Sequence, residues 1–77
     1  MKTRNIYEVA ALLSCGATVV KVDRTDKQHQ EFTLAYDEDE EHPELRELQL
    51  KFQSDTLMVN ATKFSETIRK MKSIIHS

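Results

Sequence analysis

Apolar residues recur at Ala61, Phe64, Ile68, Met71 and Ile75, spaced three, four, three and four apart. On a helical wheel they fall within an arc of roughly 80°, as one buried helix face requires. The spacing predicts a helix over 61–76. Asn60 is suited to cap it, since its side-chain oxygen accepts from the free N–H groups of the first turn. Arg69, Lys70 and Lys72 gather near its C-terminal end, where positive charge complements the helix dipole. Much of the chain reads as something for this helix to pack against.

An earlier helix is predicted over 6–15. Asn5 caps it, and Glu8, three residues on, is placed to return a bond to the Asn5 backbone in a capping box. Ile6, Val9, Ala10 and Leu13 form its apolar stripe, and Tyr7, Ala11 and Leu12 carry apolar surface round most of the circumference. Glu8 and Ser14 are left as its polar positions. Such a helix is covered on more than one side, either by the sheet and the C-terminal helix or by a second protein. Gly16, the only glycine, marks its left-handed end.

Thr18–Arg24 is rich in β-branched residues and reads as a strand, with Val20 and Val22 on one face and Val19, Lys21 and Asp23 on the other. Thr25-Asp26-Lys27-Gln28 supplies a polar turn. Gln30–Tyr36 then alternates, Phe32, Leu34 and Tyr36 inward against Glu31, Thr33 and Ala35 outward, which completes an antiparallel hairpin. After an acidic run comes Pro43, at home in the first position of a helix, followed by Leu45, Leu48 and Phe52 at helical spacing. Leu48, Leu50 and Phe52 also alternate as a strand would, but helix-forming Glu, Leu, Arg, Gln and Lys without β-branching favour a helix over 44–53. Leu57-Met58-Val59 is expected to extend the hairpin as a third strand. The fold class is α+β, a single domain over 1–77 in the order α-β-β-α-β-α, with helices on one face of the sheet.

Seventy-seven residues form one domain whose core is small. The net charge of −2 is unevenly spread: residues 1–36 carry +1, residues 37–55 carry −6 and residues 56–77 carry +3. One cysteine, Cys15, excludes an internal disulfide and favours a reducing compartment, so the cytoplasm is expected. No apolar run approaches the ~20 residues that cross a bilayer, so a membrane is not expected among the partners.

The pattern Asn5-Ile6-Tyr7-x-x-Ala10-Ala11-Leu12-Leu13-x-x-Gly16, the hairpin segment Glu31-Phe32-Thr33-Leu34, and Leu57-x-Val59-Asn60-x-x-x-Phe64-x-x-x-Ile68-Arg69-x-x-Lys72-Ser73 cover nearly the whole chain. Together they resemble a family of small, uncharacterised bacterial and phage domains of about this length. The resemblance rests on packing and capping residues. It implies the element order and a phage or mobile-element setting, but no catalytic or binding residue. The acidic run at 37–41 is longer than that family leads one to expect.

Catalytic chemistry finds little material. His29, His42 and His76 show no zinc-ligand spacing, one glycine cannot build a phosphate loop, and Cys15 beside Leu12 and Leu13 reads as an apolar filler. The chain is expected to be non-enzymatic, without cofactor or metal, and to act through protein contacts with an unidentified partner. Two candidate surfaces follow. One is the excess apolar side of the first helix, with Tyr7 and Ala11, where a homodimer would form. The other is Asp37, Glu38, Asp39, Glu40 and Glu41, which reads first as a solvated loop and next as DNA-like charge offered to a basic protein surface. The alternative function is a nucleic-acid-binding regulator that uses Lys63, Arg69, Lys70 and Lys72. These spread over about 180° of the helix with Glu66 among them, and a pI of 5.9 weighs against phosphate binding, so nucleic acid is not the expected partner.

Overall fold

The computed structural model describes residues 1–26 and 29–75, with Ile74 and Ile75 defined by their backbone alone. Its elements are β1 (Lys2–Thr3), α1 (Ile6–Ser14), β2 (Thr18–Asp23), β3 (Glu31–Ala35), α2 (Pro43–Gln53) and α3 (Ala61–Ile75). The α+β class holds, with a three-stranded antiparallel sheet in the order β1-β3-β2. The third strand is not Leu57–Val59. The free edge of β3 is taken by the first residues of the chain, Lys2 opposite Thr33 and Thr3 opposite Phe32, and the Leu34 N–H donates to Met1 O at 2.6 Å. Leu57 is held elsewhere: its N–H donates to Lys51 O, the carbonyl that also takes the Thr56 N–H, so the segment turns back against α2 instead of reaching the sheet.

Local chemistry sets the helix limits. Asn5 Oδ1 accepts from the N–H groups of Tyr7 and Glu8 at 3.0 and 3.3 Å, and Asn60 Oδ1 accepts from Lys63 N at 3.0 Å. The reciprocal half of the expected capping box does not form, because Thr3 Oγ1 already accepts from the Asn5 N–H at 3.2 Å. At the end of α1 the Ala17 N–H reaches Leu12 O and the Gly16 N–H reaches Leu13 O, the paired bonds of a Schellman ending. Gly16 has φ +106°, and a Cβ there would meet the Tyr36 ring at 3.4 Å. Asp55 (φ 58°) ends α2 with the same bond pair, Thr56 to Lys51 and Asp55 to Phe52, although it carries a side chain. His42 caps α2: its Nδ1 accepts from the Glu44 N–H at 3.0 Å.

The hairpin carries a β-bulge. Val19 pairs with Leu34, Lys21 with Thr33 and Val22 with Phe32, so one extra residue sits between Val19 and Lys21. That residue shifts the faces expected for β2. Val19 and Val22 are half-buried against the core, and Val20 is 52% exposed. Thr33 and Ala35, expected outward, are buried because β3 is the central strand, flanked on both sides. The polar turn from Thr25 is closed by Asp23 Oδ1, which accepts from the Thr25 N–H and hydroxyl, and Lys27 and Gln28 lie outside the described residues.

The centre of the core is α1. Val9, Ala10, Ala11 and Leu12 are all buried, between α2, α3 and β1, and Phe32 and Leu34 rise from the sheet to join them. Even Glu8, one of the two polar positions of the helix, is only 5% exposed. From α3, Met71 is buried, Phe64 and Ile68 are half-buried, and Ala61 is exposed. The end of its expected apolar arc, the Ile75 side chain, and His76 lie outside the described residues. Thus α3 covers α1 from one side, and α1 is the element that the others enclose.

Two substitutions test the positive-φ positions. Gly16→Ala should cost about 1–2 kcal/mol, the strain of a left-handed residue, in chemical denaturation. Glu38 (φ 67°) is the second residue of a two-residue turn, with Asp37 (φ 50°) before it, closed by mutual bonds between Tyr36 and Asp39. Such a turn favours Asp-Gly, so Glu38→Gly should raise stability by about 0.5–1 kcal/mol in the same measurement.

Candidate protein-contact site

Four elements meet around a shallow groove of about 210 Å³. Ala11 of α1 forms its floor, Phe52 and Asp55 come from the end of α2, Leu57 and Val59 from the connection, and Phe64 from the first turns of α3. Ala11 is 3% exposed, so it belongs to the core and is not the open interface residue that the sequence suggested; Phe52, Leu57, Val59 and Phe64, all half-buried, lie around it. Between Leu57 and Val59 the chain alternates as a strand would, half-buried, exposed, half-buried. Met58 therefore stands out at 91% exposure beside the groove. Tyr7, one helical turn before Ala11, is 53% exposed.

The acidic run is more ordered than a solvated loop. Asp37 and Glu38 form the tight turn after β3, Asp39 Oδ1 accepts from the Glu41 N–H at 2.9 Å, and all five residues from Asp37 to Glu41 are exposed. Asp37 Oδ2 lies 4.0 Å from His42 Nε2, and the His42 ring leans on Tyr36 with centroids 4.9 Å apart. Glu40, Glu41 and His42 also line an open depression of about 540 Å³ with Leu45, Arg46 and Leu50. Its charged side chains, Glu40, Glu41 and Arg46, are exposed and of both signs, and the His42 Nδ1 is committed to the α2 cap.

The basic residues of α3 do not converge. Arg69 and Lys70 share a surface groove of about 270 Å³ with Glu66 and Ser73, while Lys63 and Lys72 are exposed but do not line it. A carboxylate within that groove opposes a phosphate. Arg24 is exposed at the end of β2, and Lys27 lies outside the described residues.

Cys15 is half-buried at the C-cap of α1. Burial pushes its thiol above the usual cysteine range; Lys51 draws it back and Glu44 adds to the rise. Among the described residues no cluster of three His, Cys, Asp or Glu side chains could hold a metal, and no helix is long and apolar enough to cross a membrane. His29 is exposed, its carbonyl accepting from Arg4 Nη1. Sequence reasoning missed Phe52, Asp55, Leu57, Val59 and Phe64 as one groove, and Met58 beside it. The strand-like alternation at 57–59 carried the one legible signal, an outward Met58.

Comparison with protein-family models, curated proteins and solved structures finds no match to this chain.

Because the thiolate is the reacting form, a raised Cys15 pKa lowers its reactive fraction near neutral pH. Alkylation by iodoacetamide at pH 7.5 should be several-fold slower for the folded chain than for the chain in denaturant, as read by mass spectrometry.

Proposed function

We propose that this chain is a non-enzymatic protein-interaction module whose contact surface is the groove of Ala11, Phe52, Leu57, Val59 and Phe64 with Met58 at its rim. Met58 carries the reading. A methionine at 91% exposure, flanked by residues that line an apolar depression, is a contact side chain without a contact. Methionine adapts its shape to a partner, which suits such a position. A volume near 210 Å³ accepts one or two side chains and falls short of the ~300 Å³ at which ligand pockets begin. The raised Cys15 thiol supports a role without nucleophilic chemistry, and a single cysteine suits action in the cytoplasm.

The five exposed carboxylates at 37–41 offer a second contact of a different kind, one that salt would weaken. The two surfaces separate in one experiment. Affinity capture from the native host uses the wild-type chain, a Met58→Asp variant and a variant with residues 37–41 converted to Asn and Gln. The expected outcome is a protein held by the wild type and the neutralised variant but reduced at least about tenfold with Met58→Asp, since an apolar anchor can carry 2 kcal/mol or more. A partner lost only on neutralisation, and lost at low salt, where charge pairing is strongest, would assign the contact to the acidic turn. Capture unchanged in both variants would remove the proposal.

A further inference from the structure

We propose that the groove receives the Met58 of a second copy of the same chain, in a two-fold dimer in which each Met58 enters the other's groove. This rests on the groove being a protein-contact surface, and it names the partner. Three observations converge on that occupant.

The first is adjacency. Met58 lies between Leu57 and Val59, and both of these line the groove. A projecting side chain and two walls of the depression thus come from three consecutive residues. A two-fold axis between them satisfies both copies at once, because in an isologous contact each residue meets what its counterpart meets. A foreign partner would have to bring its own projection and would leave Met58 to find a separate pocket.

The second is size. About 210 Å³ of groove, walled by Phe52, Leu57, Val59 and Phe64 over Ala11, suits an unbranched apolar side chain. Among the described residues Met58 is the most exposed large apolar one, at 91% against 57% for Leu50, 53% for Tyr7 and 52% for Val20.

The third is charge. Among the described residues Asp55 is the single ionisable one in the groove wall. Met58 lies only three positions before Ala61, the first residue of α3, so a Met58 entering the groove brings the start of its own α3 towards Asp55. That helix start lacks a negative charge. Its first turn holds no acidic residue, Lys63 lies within it, and Asn60 Oδ1 accepts from the Lys63 N–H alone. Helix N-termini favour anions through their free N–H groups and dipole. Asp55 of one copy supplies that charge to α3 of the other, twice per dimer.

The backbone agrees with an open surface. Among the described residues the Met58 N–H makes no hydrogen bond, although Leu57 beside it is bonded to Lys51 O at 3.1 Å.

The test is the mass of the full chain in solution, by light scattering and sedimentation across a concentration series, in wild type, Met58→Asp, Asp55→Lys, and Asp55→Lys combined with Lys63→Asp. The wild type should rise from 9.0 kDa to twice that mass as concentration increases. Met58→Asp should remain at the monomer mass while keeping the wild-type circular dichroism, since its side chain is exposed. Asp55→Lys should weaken the dimer at least about fivefold, and the charge-swapped double variant should recover most of that loss, as coupled residues do. A wild type that stays monomeric throughout, or a dimer whose association is unchanged by Met58→Asp, overturns the proposal. A monomer whose host partner is still lost with Met58→Asp overturns the dimer and leaves the groove as a contact for another protein. A monomer with no Met58-dependent partner overturns both readings.

Discussion

Val9, Ala10, Ala11 and Leu12 are withdrawn from water together, and four consecutive buried residues leave the middle of the helix no solvated side. Successive helical residues point about 100° apart, so this run sweeps round the whole circumference. A 77-residue chain has few elements with which to cover it. The sheet supplies Phe32 and Leu34, α2 supplies Leu45 and Leu48, and α3 supplies Met71. The small Ala10 and Ala11 allow close approach, and each fully buried larger side chain contributes roughly 1.5–3 kcal/mol. The elements of this fold are placed by the need to enclose α1.

That need also explains the groove. Around Ala11 the cover comes from the end of α2, the seven-residue connection and the first turns of α3, three pieces that meet at their ends. Element ends present fewer side chains than element middles, so closure there is incomplete. Enough is supplied to bury Ala11 but not to fill the space above it. The same connection alternates inward and outward, and its outward residue is a methionine. Core and contact surface thus share one short stretch of chain.

Features set by near neighbours in sequence were legible before the structure. Asn5, Gly16 and Asn60 bounded α1 and α3 because capping is a bond between residues two or three apart. The hairpin strands and α2 followed from alternation and from helix-forming residues. What escaped depends on distant partners or broken periodicity. Lys2–Thr3 is too short to show a period, and its strand state comes from pairing with Thr33 and Phe32 some thirty residues away. Leu57–Val59 had the composition of a strand, but the edge it needed was already occupied. The left-handed Asp37, Glu38 and Asp55 carry side chains where glycine would have announced the turn. Ala11 looked like surplus apolar surface because three separate elements had to be in place before it was covered. The groove, assembled from residues 11 to 64, had no local signature beyond the exposure of Met58.

The bulge at Val20 bears on how far this small sheet can grow. β2 is an outer strand, and a regular row of unpaired N–H and C=O groups along it would template addition of another chain without limit. The extra residue breaks the regular spacing of that row, and Lys21 beside it sets a charge on the open face. The opposite margin, β1, is two residues long and offers almost nothing to extend. Both margins of the sheet are therefore poor nuclei for fibrils.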